Sequence, residues 1–207
     1  PRKYANGLLG AAQSAGAKVF AHSPVTGLEK HQTFCLNTPQ GQITAEKVIF
    51  ATNGYSSDQL PDWMRGRYLP LQSSIIVTRP LTGEEQAAQG WTSPQMAFDS
   101  RELLHYFRLM PDGRFLFGMR GGIFATARAN RAAARKIKAD FRQMFPAWSD
   151  IDITDHWSGL VCLTRNLTPY IGPVPNLSGA FAGFAWHGNG IAMGSYAGAI
   201  LADLLQN

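Results

Sequence analysis

The chain has 207 residues, 45% of them hydrophobic and only 16% charged, with a formal net charge of +5. That length allows one large domain or two modest ones with a real core, and the scattered 21 Gly and 12 Pro exclude collagen-like and disordered classes. Two cysteines, Cys35 and Cys162, exclude a disulfide framework or a Cys-rich zinc site, and with no basic-apolar-small leader at Pro1 the chain reads as cytoplasmic.

Tyr4 to Ala15 carries Leu8, Leu9, Ala12 and Ala15 at helical spacing, with Gly16 as its stop. A chain that begins with Pro1 and enters a helix within a few residues reads as one whose start is not native. Lys18 to Ala21 is predicted to be a short strand. A hairpin follows, with Thr33 to Asn37 and Ile43 to Ala51 as its arms and Thr38-Pro39-Gln40-Gly41 as its turn. The second arm ends in Val48-Ile49-Phe50-Ala51, an apolar run that predicts a buried strand. It meets Thr52-Asn53-Gly54 abruptly, and such a junction at the carboxyl edge of a sheet is a common place for a ligand.

Ser56 to Gly66 reads as loop, and Leu71 to Arg79 as a long strand stopped by Pro80. The clearest hairpin joins His105–Met110 to Arg114–Met119 through Pro111-Asp112-Gly113: Tyr106 and Arg108 alternate with Phe107 and Leu109. Arg128 to Phe145 reads as a helix closed by Pro146. Ile137, Phe141, Met144 and Phe145 share one face; Arg131, Arg135, Lys138 and Arg142 lie elsewhere, as a solvated surface. The other basic residues are dispersed, so a nucleic-acid partner is not expected. Ile153 to Leu163 is predicted to be a strand, Ile171 to Asn176 a Gly/Pro turn, Ala180 to Trp186 a buried strand and Gly190 to Leu205 a helix.

No Asp, Glu, Lys or Arg occurs between Arg165 and Asp203. Pro173, Pro175, His187, Asn189 and several glycines interrupt this stretch, which argues against a membrane span. It reads instead as an element buried on several sides or packed on a large ligand. In the last helix Gly190, Gly194, Gly198 and Ala202 recur every four residues on one face. That stripe suits either tight packing on a sheet or a helix start laid against a cofactor. Trp186-His187-Gly188-Asn189-Gly190 leads into that start, where backbone N–H groups and the positive end of the dipole favour anionic or electron-rich atoms.

In this order the pieces resemble the FAD-dependent amine and amino-acid oxidoreductases of the D-amino-acid-oxidase superfamily, which includes glycine, sarcosine and gamma-glutamylputrescine oxidases. Trp157-Ser158-Gly159-Leu160 through Thr168-Pro169-Tyr170-Ile171-Gly172-Pro173 resembles the family's Trp-x-Gly-Leu…Pro-x-Ile-Gly segment. Gly188-Asn189-Gly190-Ile191 resembles the turn that opens the last helix beneath the flavin, and Ala51-Thr52-Asn53-Gly54 an Ala-Thr-Gly-type turn. Val25 matches a position whose backbone meets FAD. The resemblance implies a mixed α+β and α/β fold. Residues 1–57 and 161–207 would belong to a Rossmann-like FAD domain, and 58–160 to an antiparallel-sheet substrate domain with a covering helix.

The resemblance implies FAD as cofactor and the oxidation of an amine C–N bond to an imine, with Val25, Ala51, Thr52, Asn53, Gly54, Gly172, Pro173, Gly188, Asn189, Gly190 and Ile191 at the cofactor. Two departures matter. The family's N-terminal G-x-G-x-x-G is not in this chain, so it reads as the C-terminal portion of a longer enzyme whose N-terminal half is its partner. Alone it is expected to bind FAD weakly or not at all and to be inactive. Where glycine-oxidase-like members place an Arg that forks onto the substrate carboxylate, this chain has Val161, which favours a primary or secondary amine such as a polyamine derivative. Arg120 is a candidate for binding a carboxylate instead, and His187 for a proton or oxygen step. The histidines lack metal-ligand spacing, so no metal is expected. The alternatives are a non-catalytic partner subunit or fragment, and a tRNA-modifying oxidase of the same superfamily.

Overall fold

Leu8, Leu9, Ala12 and Ala15 recur at helical spacing, and helix α1 spans Arg2–Ser14 in the computed structural model, which describes residues 1–206. None of its residues is buried. The strand predicted for Lys18 to Ala21 does not form. Val19 and Phe20 are exposed, and among the described residues no strand offers them a ladder, without which an extended segment gains no backbone hydrogen bonds.

Strands β1 (Gly27–Lys30), β2 (Phe34–Thr38) and β3 (Gly41–Ala45) make an antiparallel meander around the fully buried Phe34. The Pro39-Gln40 turn stands where it was expected, but the second arm of that hairpin divides. Beyond Ala45 the chain leaves β2, and β4 (Val48–Phe50) pairs in parallel with a strand near the C-terminus. The Val48 amide donates to Gly179 O at 3.0 Å, which commits it to that other sheet. Nor is β4 a buried strand: it is the edge of its sheet, and Ile49 is 42% exposed.

Contacts divide the chain into one unit of residues 1–68 with 164–206 and a second unit, Leu69–Leu163. The second unit is built on β5 (Leu69–Pro80), α2 (Gly83–Gln89), β6 (Ala97–Phe98), β7 (His105–Leu109), β8 (Arg114–Arg120), α3 (Ala127–Met144) and β9 (Ile153–Leu163). Its five strands are antiparallel in the order β6-β7-β8-β5-β9. Gly113 turns the hairpin at φ +78, a conformation that suits glycine. Thr82 and Glu85 form a capping box at α2, and Arg79 grips Glu85 through two bonds of 2.9 and 2.7 Å. The Arg79 hydrogen bonds, helped by the Thr82 amide, hold the Glu85 carboxyl down at about 2.

One face of this sheet carries the core. Phe107, Phe115 and Phe117 meet Ile137, Phe141 and Phe145 of α3 and its following turn, with Trp148 against Phe115 at 4.7 Å. Each buried aromatic contributes about 1.5–3 kcal/mol. Arg131, Arg135 and Arg142 are exposed on the other side of α3, as its periodicity predicted.

The first unit resumes with β10 (Tyr170–Pro173), β11 (Ala180–Phe184) and α4 (Gly190–Gln206). The turn predicted for Ile171 to Asn176 gives way at its start to β10, because β11 offers an antiparallel partner, with Tyr170 opposite Phe184. Helix α4 meets the sheet through Ala197 and Leu201, and Leu201 Cδ1 lies 3.2 Å from where a Cβ on Gly183 would stand. The glycine stripe takes no part in this packing: a Cβ on Gly194 or Gly198 would meet nothing within 4 Å, and Ala202 is exposed. Tight packing on the sheet is therefore not what the stripe does within this chain. Among the described residues no helix is long and apolar enough to cross a membrane.

Candidate functional site

Strands β4 and β11 run in parallel, with Val48 opposite Ala180 and Phe50 opposite Ala182, so their carboxyl ends leave the sheet side by side. One continues into Ala51-Thr52-Asn53-Gly54 and the other into Ala185-Trp186-His187-Gly188-Asn189. The carboxyl edge of adjacent parallel strands is where open α/β sheets take ligands. The two turns are tied together: the Ala185 amide donates to Asn53 Oδ1 at 2.9 Å. Four residues here adopt positive φ, Asn53 at 48°, Ala185 at 66°, His187 at 52° and Gly188 at 103°. Ala185 and His187 have side chains that disfavour this region, so backbone strain is concentrated at this edge.

Asn189 N donates to Trp186 O at 2.8 Å, which closes the turn, and Met193 N donates to Asn189 O at 3.0 Å, which begins the helical ladder. The amides of Gly190, Ile191 and Ala192 come before that ladder and sit at the positive end of the helix. Gly188, Asn189 and Ile191 are exposed, so a ligand can reach them. On the other turn the Thr52 and Ser56 hydroxyls lie 2.6 Å apart, and Gly54 is buried. His187 Nε2 is 3.3 Å from Thr164 Oγ1, which fixes the ring. Closely apposed turns, strained backbone and accessible helix amides suit the flat, electron-rich edge of a flavin, so these residues fit the group that the sequence implied.

Not every cofactor candidate gathers here. Gly172 and Pro173 pair with Ala182 and Phe181 on β11 and so run away from the carboxyl edge, while Tyr170, opposite Phe184, stands near it. Val25 precedes β1 in the separate meander and is 41% exposed. Tyr170, Trp63 and Phe184 form an aromatic cluster, with ring centroids 4.9 Å apart for Trp63–Tyr170 and 5.5 Å for Tyr170–Phe184. They line an open cavity of about 600 Å³ that Arg67 and Arg165 also border. Burial pushes the Tyr170 hydroxyl above its ordinary value, against the pull of the Arg67 charge.

The second unit holds Arg120 and Val161. Directly opposed residues of antiparallel strands share a face. Arg120 lies opposite Ser73, Ser73 opposite Gly159, and Leu71 opposite Val161; Gly118 lies opposite Ile75, and Ile75 opposite Trp157. Arg120, Val161 and Trp157 therefore share the face away from α3, where Trp157 is 46% exposed. Tyr106 on β7 crosses this face. A Cβ on Gly118 would stand only 2.1 Å from Tyr106 Cζ, so glycine alone lets the ring lie there, and the hydroxyl reaches Ser73 Oγ at 2.9 Å. Burial pushes the Tyr106 phenol up; the Ser73 hydrogen bond and the Arg120 charge oppose this without cancelling it. A protonated phenol beside a guanidinium can orient the polar end of a substrate.

Sequence reading did not single out Tyr106 and Ser73 as a pair. The alternation of the hairpin placed Tyr106 opposite in sense to Phe107, and a glycine two residues before Arg120 was the available signal for a ring crossing the strand.

Residues 1–204 match the family described as FAD dependent oxidoreductase, DAO. The chain is 30% identical to "Probable oxidoreductase OrdL" of Rhizobium meliloti (strain 1021) over 99% of its own length and 46% of that protein. It is 29% identical to gamma-glutamylputrescine oxidoreductase of Escherichia coli (strain K12) over 100% of its length and 47% of that protein. It thus spans about half the length of the curated relatives it matches. The crystal structure of glycine oxidase from Bacillus cereus ATCC 14579 superposes with a TM-score of 0.77 at 19% identity, over 97% of this chain and 54% of that one, which shows a shared fold. The chain belongs to the DAO family of FAD-dependent oxidoreductases.

Proposed function

We propose that this chain is the C-terminal part of an enzyme that oxidises the C–N bond of an amine, with a polyamine-derived substrate of the gamma-glutamylputrescine type. The observation that carries the cofactor assignment is the Asn53–Ala185 bond, which ties the turns at the ends of two parallel strands into one strained edge. Bound FAD would supply the two-electron (hydride) acceptor needed to oxidise an amine to an imine. Ala51, Thr52, Asn53 and Gly54 would hold it on one side, and Gly188, Asn189, Gly190 and Ile191 on the other. The amides that open α4 would stabilise negative charge facing them. The His187 ring, held by Thr164 through Nε2, would brace the turn that leads into α4.

The substrate reading rests on the open face of the second unit. Val161 has no donors for a small amino acid's carboxylate, whereas Arg120 and the Tyr106 hydroxyl offer cationic and neutral donors for a polar group farther along a longer amine. The rest of the family's length, with its phosphate-binding glycine turn, would come from an N-terminal half, and this chain alone is expected to hold FAD weakly or not at all.

A flavin spectrum and a substrate screen on the full-length protein test both parts. We expect flavin absorbance and faster turnover of gamma-glutamylputrescine-type amines than of glycine or sarcosine. A colourless, flavin-free protein overturns the cofactor reading, and preferred turnover of glycine overturns the argument from Val161. Val161→Arg should shift the preference toward small amino acids by about tenfold, the worth of a hydrogen bond to a charged group.

A further inference from the structure

Asparagine precedes glycine at three places: Asn6-Gly7, Asn53-Gly54 and Asn189-Gly190. In such a pair the backbone nitrogen of the glycine lies close to the asparagine carboxamide, with no Cβ beside it to hinder approach. It can then attack the carboxamide carbon within the same chain, where proximity replaces a bimolecular encounter. The attack requires a glycine amide that is not engaged in a hydrogen bond, a carboxamide that is not held, and access to water. The fold meets these conditions differently at the three sites.

Asn6 and Gly7 are exposed, but both lie inside α1, where the Gly7 amide is engaged in the helical ladder. Asn53 is held by its side chain: Oδ1 accepts from the Ala185 amide at 2.9 Å, and Gly54 is buried. Asn189 escapes both restraints. It is exposed, and its carboxamide makes no hydrogen bond among the described residues. Gly190 is the first residue of α4, and its amide comes before the ladder that Met193 N begins by donating to Asn189 O. The glycine nitrogen must give up its proton to attack, and the positive end of a helix favours the negative charge that results.

We propose that Asn189 is a site of spontaneous covalent modification, converting to aspartate and isoaspartate through a cyclic imide with Gly190. The bond from Gly190 N to Asn189 Cγ forms and the Cγ–Nδ2 bond breaks. Nitrogen leaves as ammonia, carrying the proton lost from the Gly190 amide, and water opens the imide at either carbonyl. Nothing is oxidised or reduced, and water is the only co-reactant. The product is a carboxylate at the start of α4, where the helix end stabilises it. The conversion does not depend on the cofactor reading; if that reading holds, it would set a negative charge on the turn that faces the flavin.

Incubation of the full chain at mildly alkaline pH, followed by peptide mapping with mass spectrometry, tests it. We expect the acid forms to accumulate at Asn189 while Asn6 and Asn53 stay intact, and all three to convert alike in chain unfolded by urea. Gly190→Ala should lose the conversion in the folded chain. The added methyl meets Trp186 Cδ1 at 3.4 Å, and alanine suits a helix better than glycine. If that variant fails to fold, Asn189→Gln, whose longer side chain must close a larger ring, should lose it instead. An intact Asn189, equal conversion of Asn6 or Asn53 in the folded chain, the same selectivity in urea, or undiminished conversion in the folded variant would each overturn the proposal.

Discussion

The two units of this chain treat their apolar surface differently. In the second, α3 covers one sheet face, and Phe107, Phe115, Phe117, Phe141, Phe145 and Trp148 close into one aromatic core. In the first, α1 buries nothing, Tyr4, Leu8, Leu9, Val19 and Phe20 are exposed, and β4 presents Ile49 at a sheet edge. Hydrophobic residues at the spacing of an amphipathic helix therefore do not ensure a covered face; burial requires an opposing element. The second unit has one within its own residues. The apolar faces of the first are surfaces that further polypeptide, of the kind proposed above, could cover.

The largest expected effect tests this contrast directly. Phe117→Ala removes a ring from a fully buried site and should cost about 3–5 kcal/mol in urea unfolding of this chain, whereas Leu8→Ala should change it by no more than about 0.5 kcal/mol. Comparable losses would mean that α1 is covered as well as α3 and would break the comparison.

Next comes the polar network of the second unit. Burial alone would raise the carboxyls of Asp99 and Asp140. The hydrogen bonds from His105 to Asp99, and from Lys136 and His105 to Asp140, outweigh it, and both groups lie below an ordinary aspartate's 3.8. A carboxyl depressed in the folded state adds stability above its unfolded value and loses it as pH falls through the folded one. Stability of this unit should therefore hold at neutral pH and decline as pH drops below 3.8. Asp99→Asn should cost about 1.5–3 kcal/mol, because it weakens the carboxylate's hydrogen bonds with the buried His105 ring and backbone, and should flatten the acid decline. Trp148 fluorescence during urea unfolding at a series of pH values reads both effects; an acid limb as steep as the parent's would remove Asp99 from the network.

Gly118→Ala sharpens the comparison on the open face. A methyl group cannot coexist with a ring at 2.1 Å, so Tyr106 must move and release Ser73, at about 1–3 kcal/mol. The Tyr106 hydroxyl, raised by burial, should then titrate closer to an ordinary tyrosine, which ultraviolet difference spectra detect.

Much of this was legible in local pattern, and the rest depended on distant partners. The Pro111-Asp112-Gly113 hairpin, β5, β9 and α3 announce themselves by alternation, by stop residues or by helical spacing. Strand β10 does not, because Tyr170-Ile171-Gly172-Pro173 has the composition of a turn and becomes a strand only through β11. Val48 to Phe50 follows β3 after only Glu46 and Lys47, and nothing nearby in sequence says that it changes sheets to meet Ala180. In the candidate site, an apolar run ending in a small polar turn marked both 51–54 and 186–190. That Asn53 joins them, and that Tyr106 crosses at Gly118 to reach Ser73, follows only from the register of strands far apart in the chain.

The smallest effect concerns the start of α3, which is rich in alanine. Thr126 Oγ1 accepts from Ala129 N at 3.2 Å and caps the helix. Thr126→Ala should cost about 1 kcal/mol. The first turn of α3 precedes Ala133, the first of its residues packed against the aromatic core, so the loss should appear mainly as local opening. Hydrogen exchange should accelerate at Ala129 and Asn130 while Phe141 keeps its protection. Equal acceleration at both ends would mean that the helix opens as one body, and that the alanine half is held as firmly as the half that carries Ile137 and Phe141.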